Sequence, residues 1–511
     1  MSTTCESDPL GAPVPEHSPT STTERPVESP YAVLRWLVLA TFVVILNETI
    51  MVNAIPRLMV ELDVSARSAQ WLSTAFMLTM AVVIPVTGWF LQRVTTRQAF
   101  RTAMGVFLLG TLVSALAPTF GVLVAGRIVQ AAGTAVMLPL LMTTLMTIVP
   151  VHDRGRVMGN VSLAISVAPA LGPAVSGVVL QFASWRWLFG LVLPVAALIT
   201  WFSLRKLTDV GETRPARLDV PSVVLAALGF GTLVYGLSQI GAESGSTVPA
   251  PALVGAGLVV VGIFLLRQRL LQRRDTPLLD LRVLSHRTYA VGVTVQSVSF
   301  LAMMGAMILL PLYLQELRGL SPLQTGLLVA PGGIAMGLLG PRVGRVFDRV
   351  GARPLVVPGA IGVVAGLAVL SRVGETTPYA LVLGAHVLLM VSLAALFTPV
   401  FTLSLGALPP HLYSHGSSFL GTTQQVSAAI GTAVSVTVLS SRTNALLDAG
   451  AAPSAAFVGG VQWAFGAAAL ISVVVVGLVL LLPARAPSED EDAAGGGDET
   501  LEVSEGDPTL A

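Results

Sequence analysis

Gly88-Trp89-Phe90-Leu91-Gln92-Arg93-Val94-Thr95-Thr96-Arg97 and Gly344-Arg345-Val346-Phe347-Asp348-Arg349-Val350-Gly351-Ala352-Arg353 are two copies of one phrase. Each has a glycine, three residues, a polar or acidic residue, an arginine, and a second arginine four positions on. Each copy follows one long apolar run and precedes another. A short basic loop at matching places between apolar runs is the mark of a membrane protein built from two related halves.

The composition agrees. The chain has 511 residues, of which 53% are hydrophobic and only 11% charged, whereas soluble domains carry roughly 25% charged residues. So little charge cannot coat a water-soluble protein of this size, and an all-α polytopic membrane protein follows. The net charge of +1 conceals a strongly basic core between two acidic ends. The tails 1–31 and 483–511 are rich in Pro, Ser, Thr, Gly or acid and read as disordered. Cys5 stands alone, so no disulfide can form within one chain. Thirty polar residues before the first apolar run exclude a cleavable signal peptide.

Lys206 is the one lysine and follows Arg205, so no Walker A loop is present to power an ATP motor. The histidines are scattered. His411 and His415 share an i,i+4 spacing but flank Tyr413 and Ser414 after Pro409-Pro410, where a solvated loop is expected rather than a metal site. No nucleophile–base or metal constellation appears, so neither an enzyme nor a bound cofactor is expected. Nothing points to nucleic acid.

Apolar runs from 32–56 to 460–482 number about fourteen, each long enough to span. Arginine orients them. With both termini cytoplasmic, the inner loops collect Arg93, Arg97 and Arg101, then Arg205 and Lys206, the group Arg267 to Arg287, and Arg342 to Arg353. The outer loops hold only Arg57, Arg67, Arg186, Arg318, Arg372 and Arg442. That bias places both ends inside. The two basic phrases then join spans two and three and spans ten and eleven. The offset predicts a six-helix half over 32–206, an inserted helix pair with its flanking loops over 207–287, and a second six-helix half over 288–482.

Polar residues inside the runs are the candidate machinery. Glu48 lies within the first run, and a charge at bilayer depth costs roughly 2.5–3.5 kcal/mol on insertion scales. It is either a proton site or cation anchor facing a central cavity, or a structurally hydrogen-bonded acid. Asn47, Thr49 and Asn53 flank it, with Thr49 and Asn53 on one face. Arg127, Gln130 and Thr134 form a stripe along span four, which either governs proton release from Glu48 or glues helices together. Pro169, Gly172, Pro173 and Gly177 gather small residues and bends in span five, a candidate hinge. Gln296, His386, and Thr422 with Gln425 are lesser cavity candidates, for which ordinary interhelical bonding is an equal reading. Met303, Met304 and Met307 read as lipid-facing packing.

These residues resemble a family. The chain is similar to the fourteen-span drug:proton antiporters of the major facilitator superfamily, the EmrB/QacA type, over about residues 32–482. Gly344 to Arg353 resembles the superfamily's loop signature. Arg127 with Gln130 and Gly133 resembles its span-four signature, and Pro169 to Gly177 the span-five signature of exporters. Leu46 to Pro56 resembles the span-one motif of the fourteen-span group. Asn47 stands at the usual span-one Asp, with Glu48 beside it; Gln92 stands for the usual loop Asp and Thr95 for the usual Gly. Asn47-Glu48-Thr49-Ile50, with Leu91-Gln92-Arg93 and Thr95-Thr96-Arg97-Gln98, is similar to the lincomycin-resistance subgroup.

The resemblance implies a major facilitator fold and proton-coupled multidrug or antibiotic efflux by alternating access. It implies a monomer in a bacterial inner membrane, with small amphipathic drug-like substrates and protons as partners. Glu48 and Arg127 would carry the proton. Gly88, Gln92, Arg93, Arg97, Gly344, Asp348, Arg349, Gly351 and Arg353 would govern conformation, with Asp348 and Arg349 as the intact lock. An exporter or permease of a lipid, siderophore or metabolite is the alternative, and a membrane receptor using its acidic tail a remote one.

Overall fold

The computed structural model describes residues 30–51, 54–210, 218–240, 248–274 and 276–484. Asn53 and residues 1–29 and 485–511 of the two tails, with the expectations placed on them, lie outside the described residues, as does the side chain of Pro173. Every regular element among the described residues is helical. In chain order they are α1 Pro30–Ile50, the short α2 Ile55–Glu61, α3 Ala66–Arg93, α4 Thr96–Ala115, α5 Phe120–Ile148, α6 Arg154–Phe182 and α7 Arg186–Lys206. Then follow α8 Val220–Ser238, α9 Ala250–Gln272, α10 Arg287–Leu312, α11 Pro322–Val350, α12 Arg353–Leu370, α13 Tyr379–Gly406, α14 Tyr413–Asp448 and α15 Pro453–Val479.

All but α2 are long, and 12 of them are both long and apolar enough to cross a membrane among the described residues. The two outside that group are α6, with its Pro and Gly, and the Ser- and Thr-rich α14. Polar side chains are affordable on α14 because its Thr422, Thr437 and Ser417 hydroxyls return to backbone carbonyls of the preceding turn. The chain is a multi-pass membrane protein.

Local chemistry sets the helix starts. Ser65, Thr119 and Asp219 accept backbone N–H groups as N-caps. Thr95 with Gln98, and Ser321 with Gln324, form reciprocal capping boxes. Gly351 takes φ 85° at the end of α11, a conformation that only glycine adopts readily.

Packing repeats itself. In the first set of helices α4 lies against α5 and α7, α3 against α5, and α1 against α5, α6 and α7. In the last set α12 lies against α13 and α15, α11 against α13, and α10 against α13, α14 and α15. Mapping α1 onto α10 and α3–α7 onto α11–α15 reproduces every one of these pairs. Two seams join the sets, α3 with α14 and α6 with α11, and the same mapping exchanges them.

The repeat extends to the segments that follow the sixth helix of each set. Asp209, just past α7, accepts the Arg97 N–H at 3.0 Å, and the Val210 carbonyl accepts the Thr96 hydroxyl at 3.1 Å. Past α15, the Ala484 carbonyl accepts the Ala352 N–H at 2.7 Å and the Leu482 carbonyl accepts Arg353 Nε at 3.4 Å.

Helices α8 and α9 pack on each other through Gly229, Gly236 and Gly257, and α8 also meets α3 and α14. Polar chemistry ties their basic ends. Arg267 donates to both Asp219 oxygens at 2.7 and 2.8 Å, and this pairing holds the Asp219 carboxyl down at about 2. Ser222 also bonds Asp219. Gln268, fully buried, donates to Ser222 and accepts the Leu278 and Leu279 N–H groups.

Candidate functional site

Helix α1 ends at Ile50, so Glu48 stands in its last turn. The first apolar run was expected to cross unbroken over 32–56; instead α2 restarts at Ile55. Pro56, in the first turn of α2, suits a helix start and not a helix interior. Glu48 is half-buried. Its neighbour Asn47 is wholly buried, with both amide atoms lacking a hydrogen-bond partner among the described residues. Thr49 returns its hydroxyl to the Leu46 carbonyl at 3.0 Å. Its side chain fills the space over Gly172 of α6, where no Cβ could sit.

Arg127 and Glu48 stand on helices that pack together, α5 and α1. The two form no ion pair within 4 Å. Arg127 is instead held from other sides. It is 1% exposed, donates Nη1 to Gln130 Oε1 at 2.6 Å, and stands over the Phe76 ring at 4.1 Å. Gln130 donates in turn to Thr111 of α4 at 2.8 Å, and Thr111 donates to the Phe107 carbonyl. Thr134 bonds the Gln130 carbonyl. Within the stripe read from span four, Gln130 spends its side chain on Arg127 and on α4, while Thr134 returns its hydroxyl to its own helix. Arg127 Nε has no hydrogen-bond partner among the described residues.

In the other set, Gln296 and Ser299 are buried on α10 with Gln296 Oε1 and Ser299 Oγ unpartnered among the described residues. Thr422 is buried and bonded to the Ser418 carbonyl, while Gln425 on the same helix is half-buried. His386 packs against Gly332 of α11. Arg127, Gln130 and Thr134 are therefore one bonded group to which no bond ties Glu48; Gln296 lies on α10, and Thr422 and Gln425 on α14. Met303 is buried and Met307 about half exposed, so only the latter fits lipid-facing packing.

The loop residues lie where the seams close. Asp348 accepts the Gly155 and Arg156 N–H groups at 2.8 and 2.7 Å, at the start of α6. A carboxylate there meets the positive end of the helix. Gly344 lies directly on the Gly155 carbonyl. In the first copy Gln92 donates to the His411 carbonyl at 3.0 Å, and Gly88 lies against His415 and Ser418 of α14. Arg93 stands over Trp89 at 5.8 Å. Arg349 and Arg353 are exposed.

Further ties close the same end. Thr87 bonds Ser418 at 2.7 Å, Thr143 bonds Ser417 at 2.9 Å, and Ser162 bonds Thr398 at 2.9 Å. His415, expected in a solvated loop, is 3% exposed in the first turn of α14. The helix begins at Tyr413, directly after a 3₁₀ turn that contains His411. No metal cluster occurs among the described residues.

A model of the Major Facilitator Superfamily matches residues 37–432. The chain belongs to this superfamily. It is a transporter built on a major facilitator fold. Lincomycin resistance protein LmrB of Listeria monocytogenes serovar 1/2a is 37% identical over 444 residues, 85% of this chain and 93% of that protein. LmrB of Bacillus subtilis is 36% identical over 444 residues, covering 86% and 92%. Putative multidrug resistance protein MdtD of Serratia proteamaculans is 31% identical over 414 residues, covering 78% and 83%. The crystal structure of the human organic anion transporter MFSD10 superposes with a TM-score of 0.63 at 14% identity, covering 88% of this chain and all of that one. That likeness carries the fold alone.

Phe76, Thr111, Thr143, Ser417 and Ser418 escaped the sequence reading. Each is an ordinary residue of an apolar or hydroxyl-rich run, and only its partner across a helix gives it a role.

Proposed function

We propose that this transporter exports small amphipathic, drug-like molecules in exchange for protons, by alternating access in a bacterial inner membrane with both termini cytoplasmic. The observation that carries the reading is the pair formed by half-buried Glu48 and the locked, buried Arg127. The relatives named for lincomycin and multidrug resistance support export, and the arginine bias supports the orientation. The two helix sets rock about the midplane. In the state seen here the seams are shut at the end carrying the two basic hairpins, which is the cytoplasmic end. Protons reach Glu48 from outside; substrate reaches it from inside once the seams part. A membrane potential of 100 mV supplies about 2.3 kcal/mol per charge. That is worth roughly a fifty-fold gradient, since about 1.4 kcal/mol is tenfold.

The test is Glu48→Gln in inverted membrane vesicles carrying an imposed pH gradient. The neutral amide keeps the shape and loses the proton. Proton-driven efflux of an amphipathic cation should stop, while exchange of that cation down its own gradient persists. Coupled efflux at the wild-type rate would remove Glu48 from the mechanism.

A further inference from the structure

The internal repeat also fixes which residues of the two helix sets correspond. Ser65 and Ser321 cap α3 and α11, and Gly88 and Gly344 stand equally far along these helices, so Phe76 corresponds to Gly332. Packing sets the register of a second pair. Gly110 of α4 lies on the Gly126 carbonyl and Gln130 of α5; Gly366 of α12 lies on the Ala385 carbonyl and Leu389 of α13. Arg127 therefore corresponds to His386, each the eighth residue of its helix. Their contact recurs with other parts. Arg127 stands over the Phe76 ring, and the His386 ring lies on Gly332, where a Cβ would come within 2.4 Å of it. The supports differ. Gln130 and Thr111, which hold Arg127, are matched by Leu389 and Leu367, both fully buried. His386 is 3% exposed. It turns one edge to the Val329 carbonyl of α11, and its Nδ1 has no hydrogen-bond partner among the described residues.

We propose that His386 is a second proton-binding site, built at the station that Arg127 holds in the first helix set. An arginine there keeps its proton throughout; an imidazole can take one up and give it back. A buried polar nitrogen without a partner calls for an explanation, and Nδ1 is the atom that receives the proton. No charged neighbour fixes the state of the ring. Among the elements packed against α13, α11 has no ionisable side chain before Arg342, α6 none after Arg156, α12 none after Arg353, and α14 none between His415 and Arg442. Helix α10 has none after Tyr289, and Glu316 and Arg318 follow only in the turn beyond it. On α13 itself the one other such group is Tyr379, at the helix start beneath Arg318. In each cycle a proton from water outside binds Nδ1, giving the imidazolium, and leaves to cytoplasmic water. Gly332, on which the ring lies, belongs to the same helix as Asp348 at the shut seam, so loading and unloading His386 act on the helix that closes it. The proposal rests on the proton-driven export given above and adds one proton to the one that Glu48 exchanges.

The experiment reads a plateau rather than a rate. Proteoliposomes are held at zero membrane potential, with the pH about one unit lower on the side that faces outside the cell, so that each coupled proton supports about a tenfold gradient of tetraphenylphosphonium. His386→Gln and His386→Asn should reach a plateau about tenfold below that of the wild type. His386→Arg, which restores the residue of the first set and cannot release its proton, should do the same. Glu48→Gln should show no coupled efflux, because it removes the exchange that His386 accompanies. Variants of His386 that are slow but reach the wild-type plateau would mark a structural histidine and overturn the proposal. A second arm needs no transport. In full-length protein carrying nitrogen-labelled histidine, in lipid nanodiscs, the imidazole resonance lost in His386→Gln should move from the neutral to the imidazolium position between about pH 8 and about pH 4. A resonance that stays neutral over that range overturns the site, whether or not Glu48 drives export.

Discussion

The two basic hairpins share a skeleton and a location but close their seams with different chemistry. In the second, Gly344 lies on backbone and Asp348 places a carboxylate across two N–H groups at the start of α6. In the first, Gly88 lies on a histidine and a serine, and Gln92 gives one neutral bond to the His411 carbonyl. The glycine is kept in both because two helices must approach closely; the polar partner has changed from acid to amide. The first seam makes up the difference with the Thr87–Ser418 and Thr143–Ser417 bonds and with α8 laid across it. The duplication thus preserves shape more strictly than it preserves charge.

The largest expected contrast is between the glycines. Gly344→Ala would drive a methyl into the Gly155 carbonyl and within 3.3 Å of Arg156 Cα, neither of which a side-chain rotation can move. Overpacking of this kind costs about 1–3 kcal/mol, so the shut state should lose roughly ten- to a hundred-fold in population. Gly88→Ala meets His415 Nδ1 at 2.9 Å and Ser418 Oγ at 3.3 Å, both on side chains, and the His415 Cα only at 3.3 Å, so it should cost about 1 kcal/mol, the low end of that range. Spin labels on the hairpin ends of α3 and α14, and of α6 and α11, would read the populations by distance measurement. Equal losses in the two variants would erase the difference between the seams.

Next come the polar partners. Asp348→Asn removes the charge from a half-buried site that accepts two N–H groups, and charge-assisted bonds carry about 1.5–3 kcal/mol. A tenfold or greater fall in the shut population, with a matching fall in turnover, is expected. Gln92→Ala removes one neutral bond worth about 0.5–1.5 kcal/mol and should slow turnover by about two- to tenfold. Gln92→Asp is the sharper variant. An acid cannot donate to the His411 carbonyl, so restoring the usual loop residue should lower turnover rather than raise it. A gain would show that the first hairpin closes like the second.

What could be read from the chain follows the same division. The repeated phrase, the arginine bias and the apolar runs report on the backbone and on the membrane, and these fixed the helical class and the places of the hairpins. Glu48 and Arg127 were visible because charge in an apolar run is conspicuous. Their relation was less so: that Arg127 is tied to Gln130, Thr111 and Phe76, and forms no ion pair with Glu48, depends on three helices meeting. The break after Ile50 was masked by apolar residues on both sides of Asn53, although Pro56 marks the restart. His415 was placed in a loop because Pro409-Pro410 precede it, yet α14 begins only three residues after Pro410. Arg267 was read only as one of the inner-loop arginines and Asp219 drew no reading, since nothing in sequence brings residues 48 apart into a two-toothed bond.

The smallest effect concerns that bond, which belongs only to the seam carrying α8. The Asp219 carboxyl is held at about 2, chiefly by the Arg267 hydrogen bonds. A carboxyl held below its unfolded value stabilises the fold at pH above its ordinary range, near 4, and that contribution is lost as pH falls through about 2. Arg267 is about a third exposed, so solvent screening leaves about 1 kcal/mol. Asp219→Asn should therefore lower the thermal midpoint of the purified protein slightly near neutral pH, and the gap from wild type should narrow steadily between about pH 4 and pH 2. Turnover should scarcely change, because Gln268 still holds Leu278 and Leu279 in place. If Asp219→Asn instead opened the α3–α14 seam as far as Asp348→Asn opens the other, the brace across the first seam would be electrostatic after all. The contrast between a charged closure and a neutral one would then lie in where the acid sits, not in whether the seam has one.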